Sequence, residues 1–185
     1  ALGYAGRTSA MVLLQRAALL ASRDNDVDKL RKLLRHPPTF ENRDSLSHYL
    51  RVACEHGAAG TARLLLDRGA HIEQADRHGT PLLYACLGGH HEVAALLLAR
   101  GANPARRFRD GCTSLIAATR VRGHDPVALA RLLLEDGRVP VDARSPVGDT
   151  ALWWACRRYE RAGVDDRLPF GFISRRASWL TRVRR

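Results

Sequence analysis

The chain has 185 residues, 45% of them hydrophobic but only 6% aromatic, and a formal charge of +11. A composition rich in alanine and leucine suits a helical array and argues against an aromatic-cored β-sandwich. One continuous domain accommodates the length, and the positive balance admits acidic proteins or nucleic acid as partners.

Residues 1–8 are small and polar, with Gly3 and Gly6, and read as a disordered lead, while Ala1 in place of an initiator methionine fits a fragment or a processed chain. A first helix is expected from about Ser9 to Ser22. It is apolar on more than one face through Met11, Val12, Leu13, Leu14, Leu19 and Leu20, so something should cover it: another repeat, a partner or the folded lead. Gln15 and Arg16 interrupt the run, which is too short to span a bilayer, and no small-residue cleavage site marks a signal peptide. Pro37 ends this unit, because proline cannot continue a helix and disfavours helical geometry at His36.

The most regular stretch runs from Asp76 to Pro104 and reads as a turn, a short helix, a tight turn, a second helix and a glycine exit. Thr80 offers a capping hydroxyl, and Pro81 takes the first helical position, where a missing N–H costs nothing. Leu82, Tyr84, Ala85 and Cys86 give that helix one apolar side. Gly88-Gly89 breaks it, Val93, Leu96, Leu97 and Leu98 carry the next apolar stripe, and Gly101 closes the second helix. Neither helix can bury such a face alone, so the unit needs neighbours.

Further on, Ala105 to Asp110 is a turn with three arginines around Phe108, and Arg120 to His124 is a loop extension before a helix start at Asp125-Pro126. Val139 to Asp142 is the exit of that unit. After Tyr159 the pattern fails. Residues 157–185 hold nine arginines against Glu160, Asp165 and Asp166, a net of +6. Ile173, Ala177, Leu180 and Arg184 fall at helical spacing there, which fits a basic amphipathic helix that docks on the end of the array or on a partner.

The neighbours are copies. At an offset of 32 residues Ala53-Cys54 falls on Ala85-Cys86, Gly57 on Gly89, Leu64 to Leu66 on Leu96 to Leu98, and Gly69-Ala70 on Gly101-Ala102. The same offset places Ala21 on Ala53 and Asn25 on Gly57. Forward, Thr113 to Ala118 repeats Thr80 to Ala85, and Thr150 to Cys156 begins a fifth copy. Periods near 33 residues with a T-P-L-x-x-A signature mark one repeat class.

On these motifs (G-T-P-L-L-Y-A-C, G-G-H-H-E-V-A-A-L-L-L-A-R-G-A and D-G-C-T-S-L-I-A-A), residues 9 to 160 resemble the ankyrin-repeat family. The resemblance implies an all-α fold, an α-solenoid of about five stacked helix pairs with β-turn fingers. Units are expected at about 9–38, 39–71, 72–104, 105–142 and a partial 143–160, followed by a basic tail over 161–185. It also implies a protein-interaction module without enzymatic activity, cofactor or metal, binding through fingers and first helices. Leu83, Ile116 and Trp153 depart from the histidine usual after T-P-L, the first two units lack T-P, and the fifth lacks a recognisable second helix.

Cys54, Cys86 and Cys156 share one repeat slot and read as buried structural thiols, about 8–10 Å apart and out of disulfide reach. Cys112 falls on a finger and can be exposed. Without C-x-x-C spacing there is no zinc signal, and unpaired thiols suit a reducing compartment, cytoplasmic or nuclear. His90 falls on the family's G-H position, where an imidazole satisfies local backbone groups, so His90-His91 is not read as a metal or catalytic pair.

Twenty-eight of the thirty basic residues are arginine. The overall excess is equally what a GC-rich coding sequence gives, but the partner-facing positions implied by the resemblance are read as functional. These are Arg77 and His78, then Arg107, Phe108, Arg109 and Cys112 on fingers, with Arg120, Val121, Arg157 and Arg158 at the ends of first helices. Trp153 is expected to face the groove or to lie under the tail, whereas Trp154 aligns with Tyr84 and belongs to the core. Arginine beside aromatics binds carboxylates in bidentate fashion and stacks on rings. Arg175-Arg176-Ala177-Ser178 matches a basophilic kinase pattern, with Ser178 as the acceptor.

The reading is therefore a monomeric scaffold or adaptor that binds an acidic segment of another protein through fingers and first helices. One alternative is nucleic-acid binding through the basic tail; another is a substrate-receptor subunit of a larger assembly.

Overall fold

The computed structural model describes residues 3–35, 43–108, 111–120, 126–145 and 147–161. Among them are nine α-helices: α1 (Gly3–Arg23), α2 (Val27–Leu33), α3 (Arg43–Glu55), α4 (Ala59–Asp67), α5 (Pro81–Gly88), α6 (His91–Ala99), α7 (Ser114–Arg120), α8 (Pro126–Glu135) and α9 (Ala151–Arg161). They form four antiparallel pairs, and α9 is the first helix of a fifth unit. The first helices pack as one row in the order α1, α3, α5, α7, α9, and the second helices as another in the order α2, α4, α6, α8.

Local chemistry accounts for the boundaries. The Thr80 hydroxyl accepts the Leu83 N–H at 3.4 Å, and Thr113 and Thr150 do the same for Ile116 and Trp153 at 3.4 and 3.2 Å. Each satisfies an orphan donor of a helix start. Between the helices of a pair, the chain turns through one left-handed residue, Asn25, Gly57 or Gly89, with φ of 56°, 75° and 74°. The N–H one residue later reaches five residues back, from Asp26 to Ala21, Ala58 to Ala53 and His90 to Ala85, at 2.8–3.0 Å. This is the Schellman closure of a helix C-terminus.

The leucine stripes meet in the core. Leu65, Leu97 and Leu133, equivalent in three second helices, are fully buried, as are Leu30, Leu50 and Leu82. Burying each of them contributes about 1.5–3 kcal/mol relative to an exposed side chain. Small residues, among them Ala21, Ala53, Ala85 and Ala118, let the first helices approach closely and are themselves buried.

One expectation changes. The first helix begins at Gly3, so residues 3–8 are helical where a disordered lead was expected. An alanine- and leucine-rich helix extends at little cost once nucleated, and a glycine such as Gly6 opposes it by only about 1 kcal/mol. On α1, Val12 and Leu13 are 57% and 65% exposed, and no described element covers them. At the slot after T-P-L, Leu83 and Ile116 are buried, Leu83 lying against Gly79 at the base of a finger, whereas Trp153 is half-buried. The expected basic tail, including Ser178, lies outside the described residues.

Candidate protein-interaction surface

The sequence-predicted residues separate into those that hold the array together and those that remain at its surface. Arg77 and His78 are exposed on the finger ahead of α5. The turn beneath them is organised by Asp76, whose Oδ1 accepts the N–H groups of His78 and Gly79 at 2.8 and 2.9 Å. Its other oxygen pairs with Arg51 of α3 at 3.1 Å, with side-chain exposures of 18% for Arg51 and 31% for Asp76. The Tyr84 hydroxyl donates to the same carboxylate at 3.1–3.2 Å, and the Arg51 guanidinium lies over the Tyr84 ring, 5.4 Å from its centre.

Burial alone would raise the Asp76 pKa; the two backbone donors, the Arg51 charge and the Tyr84 hydroxyl outweigh it and hold the group below its ordinary value. Burial and the neighbouring Asp76 carboxylate together raise the Tyr84 hydroxyl. Burial, reinforced by the Arg51 charge, lowers His48, whose Nδ1 is hydrogen-bonded to the Arg51 guanidinium. Arg51 and Asp76 were not singled out from the sequence. The aspartate three residues before Gly79 is the local signal for the turn, but nothing local identifies a partner 25 positions upstream.

The arginine-rich turn at 105–108 works mainly between fingers. Arg106 donates through Nη1 to the Glu73 carbonyl at 2.9 Å and to its Oε2 at 3.2 Å, while Glu73 Oε1 accepts the Asn103 N–H at 2.7 Å. Arg107 donates to the Arg144 carbonyl at 3.4 Å, on the finger that follows. Phe108 is half-buried against the core. Cys112, placed on a finger among the partner-facing positions, is only 2% exposed. Bonds from Gly111 N–H to Phe108 O and from Phe108 N–H to Cys112 O, at 2.8 and 3.3 Å, curl the turn and carry Cys112 underneath it. Arg109 and Val121 lie outside the described residues, as does the Arg158 side chain.

Three of the four thiols, Cys54, Cys86 and Cys112, are shielded by burial. Cys54 and Cys86 are fully buried and Cys156 is half-buried. Burial, with a smaller contribution from Cys112, pushes the Cys86 thiol up to about 12, and burial likewise raises Cys54. His90 behaves as expected of a group that satisfies backbone, though across units: its Nε2 lies 2.9 Å from the carbonyl oxygen of Glu55. Its imidazole fills the space above Gly57 and Gly88. In the preceding interface the Asn25 side chain instead accepts the Thr61 N–H at 3.0 Å.

At the far end of the first-helix row three predicted surface groups, Arg120, Trp153 and Arg157, come together with Trp154, which was read as core. Trp153 and Trp154 on α9 meet edge to face, with ring centres 5.1 Å apart and planes at 85°. The Arg120 guanidinium, from the end of α7, lies over Trp154, and that of Arg157 lies over Trp153, each 4.8 Å from the ring centre. Both tryptophans are half-buried and both arginines exposed. Trp154 packs against the core as expected. Trp153 is only half-covered because no described element packs beyond α9. A guanidinium held over a ring is fixed in place by cation–π attraction of about 0.5–1 kcal/mol at an exposed site, and it keeps its in-plane N–H donors for a carboxylate.

No helix among the described residues is long and apolar enough to cross a membrane. No curated protein matches the chain. A family model described as ankyrin repeats, in three copies, matches residues 17–108. That span covers the C-terminal part of α1 and helices α2 to α6, with their threonine cap, Schellman turns and leucine slots, and through it the chain belongs to the ankyrin-repeat family.

Proposed function

We propose that this chain is a scaffold or adaptor, working in the cytoplasm or nucleus, that holds an acidic segment of another protein on the first-helix row. One observation carries the reading: Arg120 and Arg157 stand exposed at equivalent positions of successive first helices, each held over a tryptophan. Paired aromatics and arginines are the residue types that dominate interface energetics, and stacking reduces the freedom an arginine loses on binding. The finger arginines Arg106 and Arg107 are engaged between units, so they contribute geometry more than affinity.

Titration of fluorescein-labelled acidic peptides followed by anisotropy tests this, with Trp153 and Trp154 fluorescence as a second readout. Reversing both charges, Arg120→Glu with Arg157→Glu, should weaken binding at least about tenfold, on the order of 1.4 kcal/mol, while the helical circular dichroism stays unchanged. Unchanged affinity would remove the assignment. Displacement of the peptide by single-stranded DNA at equal charge would transfer the surface to nucleic acid.

A further inference from the structure

The two arginines belong to a longer row. The small pairs Ala53-Cys54, Ala85-Cys86, Ala118-Thr119 and Ala155-Cys156 occupy one repeat slot, and the residues that follow them are Glu55, Leu87, Arg120 and Arg157. These fall in the C-terminal turns of α3, α5 and α7 and within α9. All four are exposed, Leu87 at 45% although it is apolar. Because α3, α5, α7 and α9 pack in that order, the surface reads acid, apolar, base, base, one helix layer at a time, with layers about 8–10 Å apart.

A single ligand strand that meets every layer must return a side chain to the same face at that interval. A β-strand returns one every two residues, about 6.8 Å, and drifts out of step within a layer or two. A polyproline II helix returns one every three residues, about 9 Å, and stays in step along the row. Its backbone makes no internal hydrogen bonds and is extended before it binds, which lowers the ordering cost.

We propose that the first-helix row selects a polyproline II segment of a partner protein carrying four recognised side chains at every third position. Taken from α3 towards α9 they are a basic residue against Glu55, an apolar residue against Leu87, and acidic residues against Arg120 and Arg157. This rests on the acidic-segment reading above and adds to it a conformation, a register and two contacts. The basic position gives specificity by repulsion: an all-acidic segment in register would set a carboxylate against Glu55.

The test uses the full chain and blocked synthetic peptides with Lys, Leu, Glu and Glu at every third position and Ala-Pro between them, made in both chain directions. Isomers of identical composition place the same four residues at every second or every fourth position. In one chain direction the third-position peptide should bind at least about tenfold more tightly than either isomer, since exposed contacts of this kind contribute modestly one by one and register decides how many form together. Arg157→Glu should weaken that peptide, and exchanging its last Glu for Lys should restore affinity. Equal affinity for all spacings would overturn the register while leaving the acidic-segment reading in place. Failure of every acidic peptide to bind would overturn both.

Discussion

The contact between units two and three gives the sharpest test of how the stack is held. The His90 imidazole donates from Nε2 to the Glu55 carbonyl at 2.9 Å, serving one of the carbonyls that the end of α3 leaves without an intrahelical partner. A Cβ on Gly57 would stand 2.5 Å from its Nδ1, and one on Gly88 would collide with its Nε2 edge. Removing the ring by His90→Ala loses the bond to Glu55 and the packing of the ring, about 1–2 kcal/mol, because the carbonyl lies at an exposed site that solvent can reach. Gly88→Ala in the native background overpacks the same space at about 1–3 kcal/mol. Gly88 is helical, so once the imidazole is gone the substitution should recover part of the helix-propensity gain, up to about 1 kcal/mol. The two changes are therefore strongly non-additive, with a coupling of about 1–3 kcal/mol. Urea unfolding followed by circular dichroism measures the cycle, with a constant slope showing that only stability has moved. Equal destabilisation by Gly88→Ala with and without His90 would refute the imidazole as the occupant of that space.

Two other sites give independent checks. Asp76→Asn removes the Arg51 partner and weakens the turn that holds the finger, at about 1–2 kcal/mol near neutral pH. Because the folded pKa of Asp76 lies below its ordinary value, its contribution is complete above the unfolded value and is lost as pH falls through the folded one. The stability gap between wild type and Asp76→Asn, measured by denaturant unfolding, should therefore close in acid; a gap independent of pH would contradict the assignment. For the thiols, iodoacetamide labelling of the native chain at pH 8 followed by peptide mapping should modify Cys156 first. Cys54, Cys86 and Cys112 should react only as the array unfolds.

What the sequence made legible was whatever recurs locally. Thr80, Thr113 and Thr150 cap helices because each carries its own acceptor three residues before the donor it serves. Leu65, Leu97 and Leu133 are buried because helical spacing alone sets them on one face. Contacts between units were less visible, since they depend on which side chain a neighbour some thirty positions away happens to present. The turn carrying Arg106 and Arg107 was legible as arginine-rich, but not that Arg106 reaches Glu73 and Arg107 the Arg144 carbonyl. Cys112 was assigned outward from its place in a turn, and the curl of that turn reverses it. The stacked pair at Trp153 and Trp154 was half legible: both tryptophans and both arginines had been singled out, but their pairing across α7 and α9 needs the register of two helices.

The different occupants of the turns at Asn25 and Gly57 carry a consequence for modularity. In one interface the earlier unit reaches forward, Asn25 to Thr61; in the next the later unit reaches back, His90 to Glu55. The same volume cannot receive both. Each junction is thus keyed, and units two and three cannot be transposed without setting the Asn25 side chain against the His90 imidazole. Adjacency is written into the chain at these two corners, so a shuffled array of identical composition should assemble poorly even though every unit keeps its own caps and core.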